Sequence, residues 1–505
     1  MYCSGRQYQN DQPYFKSDIM FIKILFSLLV LSFSLAGSLK TYAFRGPPNI
    51  IFILVDDMGY YDLSSYGASE IKSTQIDKLA AEGIRFTDFY AAAPICSPSR
   101  AGLLTGCYPR RTGNHIWVHR PDSELGIAPD ELTMAELFKK NGYQTACVGK
   151  WHLGFEEPFL PHNQGFDHYF GILHNLDPHE TVHYQDTGGI PVIRNGAVVD
   201  RPANPAELAS LYTDEAIRLI TSWVKGNLDT NQSESNKETA PFFLYLPHTT
   251  LHHPLGVSKE FTGTSDWGKY GDAIHELDYH TGRLMDKLKA LQIQDNTIVI
   301  FMSDNGRGPG RNADQPIRGS KLSTFEGGFR VPCIIWGPGF GIEKGITSNV
   351  LAHAMDWFPT LMSLAGIEIP GNIILDGRDL SSLITGTFDQ SSGLLNNSTS
   401  LNANIPMRRY WNPGREWSER ITREDYLNAF FYHGSTGALA AVRSGKWKLH
   451  LNPNLKLYDL DIDPGERQPV NDSKMKWKMR GMAVLFQEEM LLTSRPAGKT
   501  LPGFR

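Results

Sequence analysis

Cysteine is scarce in this chain, with five among 505 residues. Cys3 precedes an N-terminal apolar run, and Cys96, Cys107, Cys147 and Cys333 follow no CxxC or other paired metal spacing. A zinc site built on cysteine pairs is thereby excluded; disulfides are permitted in an exported chain, but a core of this size does not need them. A basic excess is also missing. With 49 Lys and Arg against 54 Asp and Glu, the net charge of -5 gives no footprint for nucleic acid. An anionic substrate must therefore meet a local cluster of cations. No internal repeat is apparent, which argues against a solenoid. Long apolar runs are absent except for Ile24–Ala36, which is shorter than the roughly 20 residues a membrane span requires.

That run follows Lys23 and precedes Thr41-Tyr42-Ala43, the order of a secretory signal. Residues 1–43 are expected to be a signal peptide and leader, giving a secreted or periplasmic chain with no membrane attachment after cleavage. The chain as a whole has the composition of an ordinary globular protein, 41% hydrophobic and 20% charged.

Three apolar, β-branched runs read as strands buried on both faces: Pro48–Val55, Pro241–Pro247 and Asn296–Ser303. Each stops at polar residues, respectively Asp56-Asp57, His248 and Asp304-Asn305. Between them lie helical patterns, Thr74–Gly83 and Thr133–Gly142, the second opening with a capping box of Thr133 and Glu136. Alternating strands and helices predict an α/β fold, a large mostly parallel sheet sandwiched by helices. Ligands of such sheets bind beyond the carboxyl ends of the strands, where these polar residues meet. The predicted organisation is a catalytic domain over 44–385, a Ser/Asn-rich linker over 386–403 and a smaller α+β domain over 404–505 containing an antiparallel sheet.

Cys96 stands in "PICSPSRAGLLTG", just before a predicted helix N-terminus with Pro98 as the first helical residue. Such an end suits an anion. A cysteine phosphatase loop would need its arginine six positions on, and Arg100 is only four positions on. The stretch resembles the sulfatase signature C-x-P-S-R-x-x-x-L-T-G, met by Cys96, Pro98, Ser99, Arg100, Leu104, Thr105 and Gly106. "GYQTACVGKWHLG", "SDNG", "GSKLSTFEGGFRVPCIIWGPG" and "LYDLDIDPGE" extend the resemblance over the mature chain.

The resemblance implies a sulfuric ester hydrolase of the formylglycine-dependent kind, in which a maturation enzyme oxidises Cys96 to Cα-formylglycine and the hydrated aldehyde is the nucleophile. It implies that Arg100 and Lys150 hold this group, that His152 accepts the proton whose loss expels sulfate, and that His248 and Lys321 serve the leaving group. His252 and His253 compete with His248 for that role; the family pattern favours His248, which directly ends its strand. Asp56, Asp57, Asp304 and Asn305 are hard oxygen donors suited to one Ca²⁺, which would also take a hydroxyl from the modified Cys96. The segment from Ser303 to Lys321 carries Arg307, Arg311 and Arg318, with Arg311 expected to bind the substrate. That substrate is a small-molecule or oligosaccharide sulfate ester. A phosphonate or phosphate ester hydrolase of the same superfamily and a sulfated-glycan binding protein remain as alternatives.

Overall fold

The computed structural model describes residues 1–2, 46–226, 240–308, 315–386 and 421–500. Apart from the first two, these belong to one compact unit, Arg45–Arg505. All but two residues of the expected leader, and the expected linker from residue 387 onward, lie outside the described ranges.

A ten-stranded sheet organises the unit. Its strands in chain order are β1 (Asn49–Val55), β2 (Ile84–Phe86), β3 (Gln144–Val148), β4 (His168–Gly171), β5 (Val192–Arg194), β6 (Ala197–Asp200), β7 (Phe242–Pro247), β8 (Thr297–Ser303), β9 (Cys333–Trp336) and β10 (Ile346–Ser348). In space they run β10-β2-β9-β8-β1-β7-β3-β4-β5-β6. The central five, β8 to β4, are mutually parallel, whereas β9, β5 and β6 enter antiparallel.

The absence of alternation in β1 has a direct cause. Ile50, Phe52 and Leu54 enter one buried cluster, while Ile51, Ile53 and Val55 enter another on the opposite face. Both faces are covered, so every position from Ile50 to Val55 is apolar. Complete burial of each such side chain contributes about 1.5–3 kcal/mol.

The flanking helices include α1 (Thr74–Glu82), α2 (Cys96–Thr105), α3 (Met134–Lys140), α4 (Leu208–Lys225) and α5 (Gly268–Ala290). α3 opens with the predicted capping box, in which the Glu136 N–H donates to Thr133 Oγ1 at 3.1 Å and the Thr133 N–H to Glu136 Oε2 at 2.8 Å. A second, antiparallel sheet of β11 (Phe430–His433), β12 (Leu439–Ser444), β13 (Trp447–His450) and β14 (Lys456–Asp459) precedes the terminal helix α6 (Ser473–Thr493). Its Phe430, Tyr432 and Leu449, with Phe486 of α6, join the same buried cluster as Phe52.

Parallel pairing aligns the strand ends. Val55 pairs with Ser303 and Leu54 with Pro247, so Asp56, Asp304 and His248 leave the sheet at one edge.

Candidate active site

At that edge the chain folds Asp57 into a left-handed backbone, φ 63°, and Asp57 N–H donates to Asp304 Oδ1 at 3.3 Å. The turn after β3 is equally constrained. A Cβ on Gly149 would lie 1.9 Å from the Pro247 carbonyl oxygen, and its φ of 134° suits glycine, so only glycine lets Lys150 and His152 turn inward here. α2 begins at Cys96 itself, with Ile95 as the N-cap. Pro98 is thus the third helical residue, and Cys96 stands within the first turn instead of just before it.

The eight residues Asp56, Asp57, Cys96, Arg100, Lys150, Asp304, Asn305 and Lys321 form one connected buried cluster. Arg100 reaches from α2 to Asp304, Nε to Oδ2 3.0 Å, and donates through Nη1 to the Lys150 carbonyl at 2.7 Å. Lys150 Nζ donates to Asp56 Oδ2, and Lys321 Nζ pairs with Asp57 Oδ1 at 2.6 Å. Cys96 Sγ lies 3.4 Å from Asp56 Oδ1 and 3.1 Å from Lys321 Nζ. The cation cluster that the net charge demanded is therefore present.

Electrostatics follow from burial and this pairing. Burial pushes the Cys96 thiol up to about 12, reinforced by Asp56, so the sulfur stays protonated and is a poor nucleophile as it stands. Burial also pushes Asp56 and Asp57 upward, but Lys150, His252, Arg100 and Lys321 together outweigh it at Asp56, and Lys321 with His252 at Asp57, leaving both carboxyls below their ordinary values. His152, at φ 65°, is fully buried, and neither ring nitrogen has a hydrogen-bond partner among the described residues. Burial, then Lys150 and Arg100, hold it well below the usual imidazole value and hence neutral.

The oxygen donors fit a hard cation. Asn305 Nδ2 donates to Asp57 Oδ1 at 2.7 Å and to the Gly306 carbonyl, while its Oδ1 is buried without a partner. Asp56, Asp304 and Cys96 place one ligand atom each within 4.8 Å of one another. Three carboxylates and an unsatisfied amide oxygen suit Ca²⁺, which accepts six to eight oxygens.

His248 is not brought to this cluster, contrary to the sequence reading. It stays in the ladder, its N–H bonded to the Leu54 carbonyl, and its side chain continues the face of Leu244 and Leu246. Its ring faces Tyr212 at 6.1 Å between centroids, and burial with His280 lowers it to about 3. The following loop curls back over β1 through Asp56 N–H to Thr250 O and Leu251 N–H to Asp56 O. That return carries His252 to the site, with Nε2 3.9 Å from Asp57 Oδ2 and a ring nitrogen within 4.8 Å of Cys96 Sγ. Strand periodicity cannot register a loop that doubles back, so it favours the histidine at the strand end.

The segment leading to Lys321 is braced from the second sheet. Lys448 Nζ lies 3.0 Å from both Glu326 Oε1 and Glu466 Oε1, and Glu466 Oε2 accepts from the Glu326 N–H at 2.7 Å. Arg318 donates to the Glu466 carbonyl and covers the Phe325 ring, while Arg307 pairs with Asp62. These two arginines are structural. Arg311 lies outside the described residues.

The sequence profile of the sulfatase family matches residues 48–367. This chain belongs to the sulfatase family. N-acetylgalactosamine-6-sulfatase of Sus scrofa is 34% identical over 501 residues, covering 93% of this chain and 90% of the relative. Arylsulfatase A of Homo sapiens is 37% identical over 449 residues, covering 83% and 82%. Among solved structures, Ps i-CgsB in complex with k-i-k-neocarrahexaose superposes with a TM-score of 0.71 at 26% identity, covering 90% of this chain and 95% of that one. The protein is accordingly a sulfuric ester hydrolase. Among the described residues, no helix is long and apolar enough to cross a membrane.

Proposed function

We propose that this sulfatase is exported and releases sulfate from a carbohydrate sulfate ester, with Cys96 as the precursor of its nucleophile and one Ca²⁺ held by Asp56, Asp57, Asp304 and Asn305. The observation that carries the reading is the enclosure of Cys96, whose sulfur lies between a carboxylate and an ammonium in the first turn of a helix. Conversion of Cys96 to formylglycine supplies a hydrated aldehyde whose hydroxyl attacks sulfur. The metal, when bound, draws charge from the sulfate oxygens.

The chain's own residues divide the remaining work. Arg100, fixed by Asp304 and the Lys150 carbonyl, orients the modified residue, and Lys150 faces the same group. His152, neutral and with both nitrogens unpartnered, takes the proton whose loss expels sulfate. Lys321 neutralises charge growing on the bridging oxygen, and His252, in place of His248, gives the departing alcohol its proton once the anionic ester raises its ring from about 4, where burial and Lys321 hold it.

Cys96 is 0% exposed, so a formylglycine-generating enzyme must reach it before the chain folds. The apolar run before residue 43 supports export. We assign 44–385 to the catalytic domain, 386–403 to a linker and 404–505 to the C-terminal domain. Likeness to an N-acetylgalactosamine-6-sulfatase and to a sulfatase fold that holds neocarrahexaose supports a sugar sulfate as substrate.

The test is sulfate release from a panel of sulfated oligosaccharides by protein co-expressed with a formylglycine-generating enzyme. Release that requires Ca²⁺ is expected. Tight binding of these sugars without release would favour a glycan-binding protein instead.

A further inference from the structure

Among the described residues, seven other than glycine hold a left-handed backbone. Asp57 and His152 belong to the active site. Two more, Trp117 at φ 56° and Leu322 at φ 74°, carry large apolar side chains that are 48% and 37% exposed. Neither feature favours folding: a left-handed backbone crowds the Cβ against the following carbonyl oxygen, and exposure forfeits the gain from burial. Such strain persists where surrounding structure enforces it, and it gathers at ligand sites.

Here both residues are held by bonds in and around the nucleophile's segment. Leu322 N–H donates to the carbonyl of Pro94, two residues before Cys96, at 2.8 Å. On the other side, His119, two residues beyond Trp117, donates its N–H to the side chain of Ser97 at 3.1 Å. Ser97 directly follows Cys96. The Trp117 loop is also pinned by its own N–H to the Ser435 carbonyl at 3.0 Å and by His119 Nε2 with Asn114 Oδ1 at 2.9 Å. The Leu322 backbone is thus tied to Pro94, and the Trp117 loop, through His119, to Ser97, near the two ends of that short segment.

We infer that Trp117 and Leu322 form an apolar rim beside the nucleophile that takes the C–H face of a pyranose ring of the substrate. A sugar ring presents an apolar face edged by hydroxyls. An exposed indole with an aliphatic partner offers a matching surface at low conformational cost. The inference rests on the carbohydrate reading proposed above and adds the residues that would grip the sugar, as distinct from those that cleave the ester.

Glycine substitutions provide the test, because glycine accepts the left-handed backbone while removing the side chain. Trp117→Gly and Leu322→Gly are compared with wild type on 4-nitrophenyl sulfate and on two sugars, an N-acetylgalactosamine 6-sulfate oligosaccharide and neocarrahexaose. Each variant is expected to keep its melting temperature and to lose at least tenfold in kcat/KM on the sugar that wild type desulfates, chiefly through KM. The loss on the aryl sulfate should be at least fivefold smaller. Ile116→Ala, which trims a 64% exposed neighbour, should match wild type on both substrates. Equal losses on sugar and aryl ester, a lowered melting temperature that accounts for the loss, or undiminished sugar turnover would each overturn the rim while leaving the carbohydrate reading intact. Failure of wild type to desulfate either sugar, with the aryl sulfate turned over, would overturn the carbohydrate reading and the rim with it.

Discussion

Lys321 donates to Cys96 across 225 positions of sequence, Nζ to Sγ 3.1 Å, and the same ammonium pairs with Asp57. One cation therefore touches both Cys96, the proposed nucleophile precursor, and Asp57, a proposed metal ligand. Burial alone would lower Lys321, but Asp57, then Cys96 and Asp56, raise it well above its ordinary value. These partners hold it charged. Lys321→Ala should reduce kcat by roughly 10²–10³, the usual loss on removing one preorganised charge-stabilising donor. Steady-state kinetics on an aryl sulfate measures this, and a loss below tenfold would remove Lys321 from the chemistry.

His252 and His248 give opposite expectations. His252→Ala should cost roughly 10²–10⁴ in kcat, the range for a general acid, most steeply with poor leaving groups. His248→Ala, trimming a buried ring beside Tyr212, should lower the melting temperature and spare most of kcat. A series of aryl sulfates with graded leaving groups separates the two. A larger kinetic loss for His248→Ala at unchanged melting temperature would restore the strand-end histidine to the site.

Most of the site was legible because buried parallel strands report their own ends. The runs stopping at Asp56, Asp57, Asp304 and Asn305 become β1 and β8, paired from Asn49 with Thr297 to Val55 with Ser303. Cys96, Arg100, Lys150 and Lys321 lay in motifs of fixed spacing. What escaped depends on chain return and long-range packing. The Thr249–Pro254 loop folds back through backbone bonds to Asp56, and no local pattern encodes that reversal. Antiparallel β9 gives the same kind of apolar run as a parallel strand, so the mixed character of the sheet was hidden. The brace on the Lys321 segment joins Glu326 to Lys448, 122 positions away.

That brace has a pH-dependent consequence. Lys448 is fully buried between Glu326 and Glu466, so Lys448→Met should destabilise the protein by about 3–5 kcal/mol at neutral pH by leaving buried carboxylates uncompensated. Burial raises Glu466, but Lys448 and His450 outweigh it and hold it below its ordinary value. A depressed carboxyl contributes stability above its unfolded value of about 4.3, and the contribution is lost as pH falls through the lower folded value. The difference in melting temperature between wild type and variant should therefore be largest near pH 7 and shrink as pH falls, first as the uncompensated Glu326 and Glu466 of the variant take up protons above about pH 4.3, then as Glu466 of wild type does so below it. A difference independent of pH would show that Lys448 acts through packing alone.

Calcium should be both structural and catalytic. Removing it by chelation leaves Asp56, Asp57 and Asp304 crowded at one strand edge, so turnover should vanish, the melting temperature should fall, and Ca²⁺ should restore both. Asp304→Ala should lose the bound metal and nearly all turnover. Wild-type metal content in that variant, measured by elemental analysis, would contradict the ligand assignment.

Mass spectrometry of the peptide spanning Cys96, taken from fully active protein, tests the central claim most directly. An aldehyde at Cys96 that resists thiol alkylation, in proportion to specific activity, is the result predicted. An unmodified, alkylatable Cys96 in enzyme of full activity would contradict it.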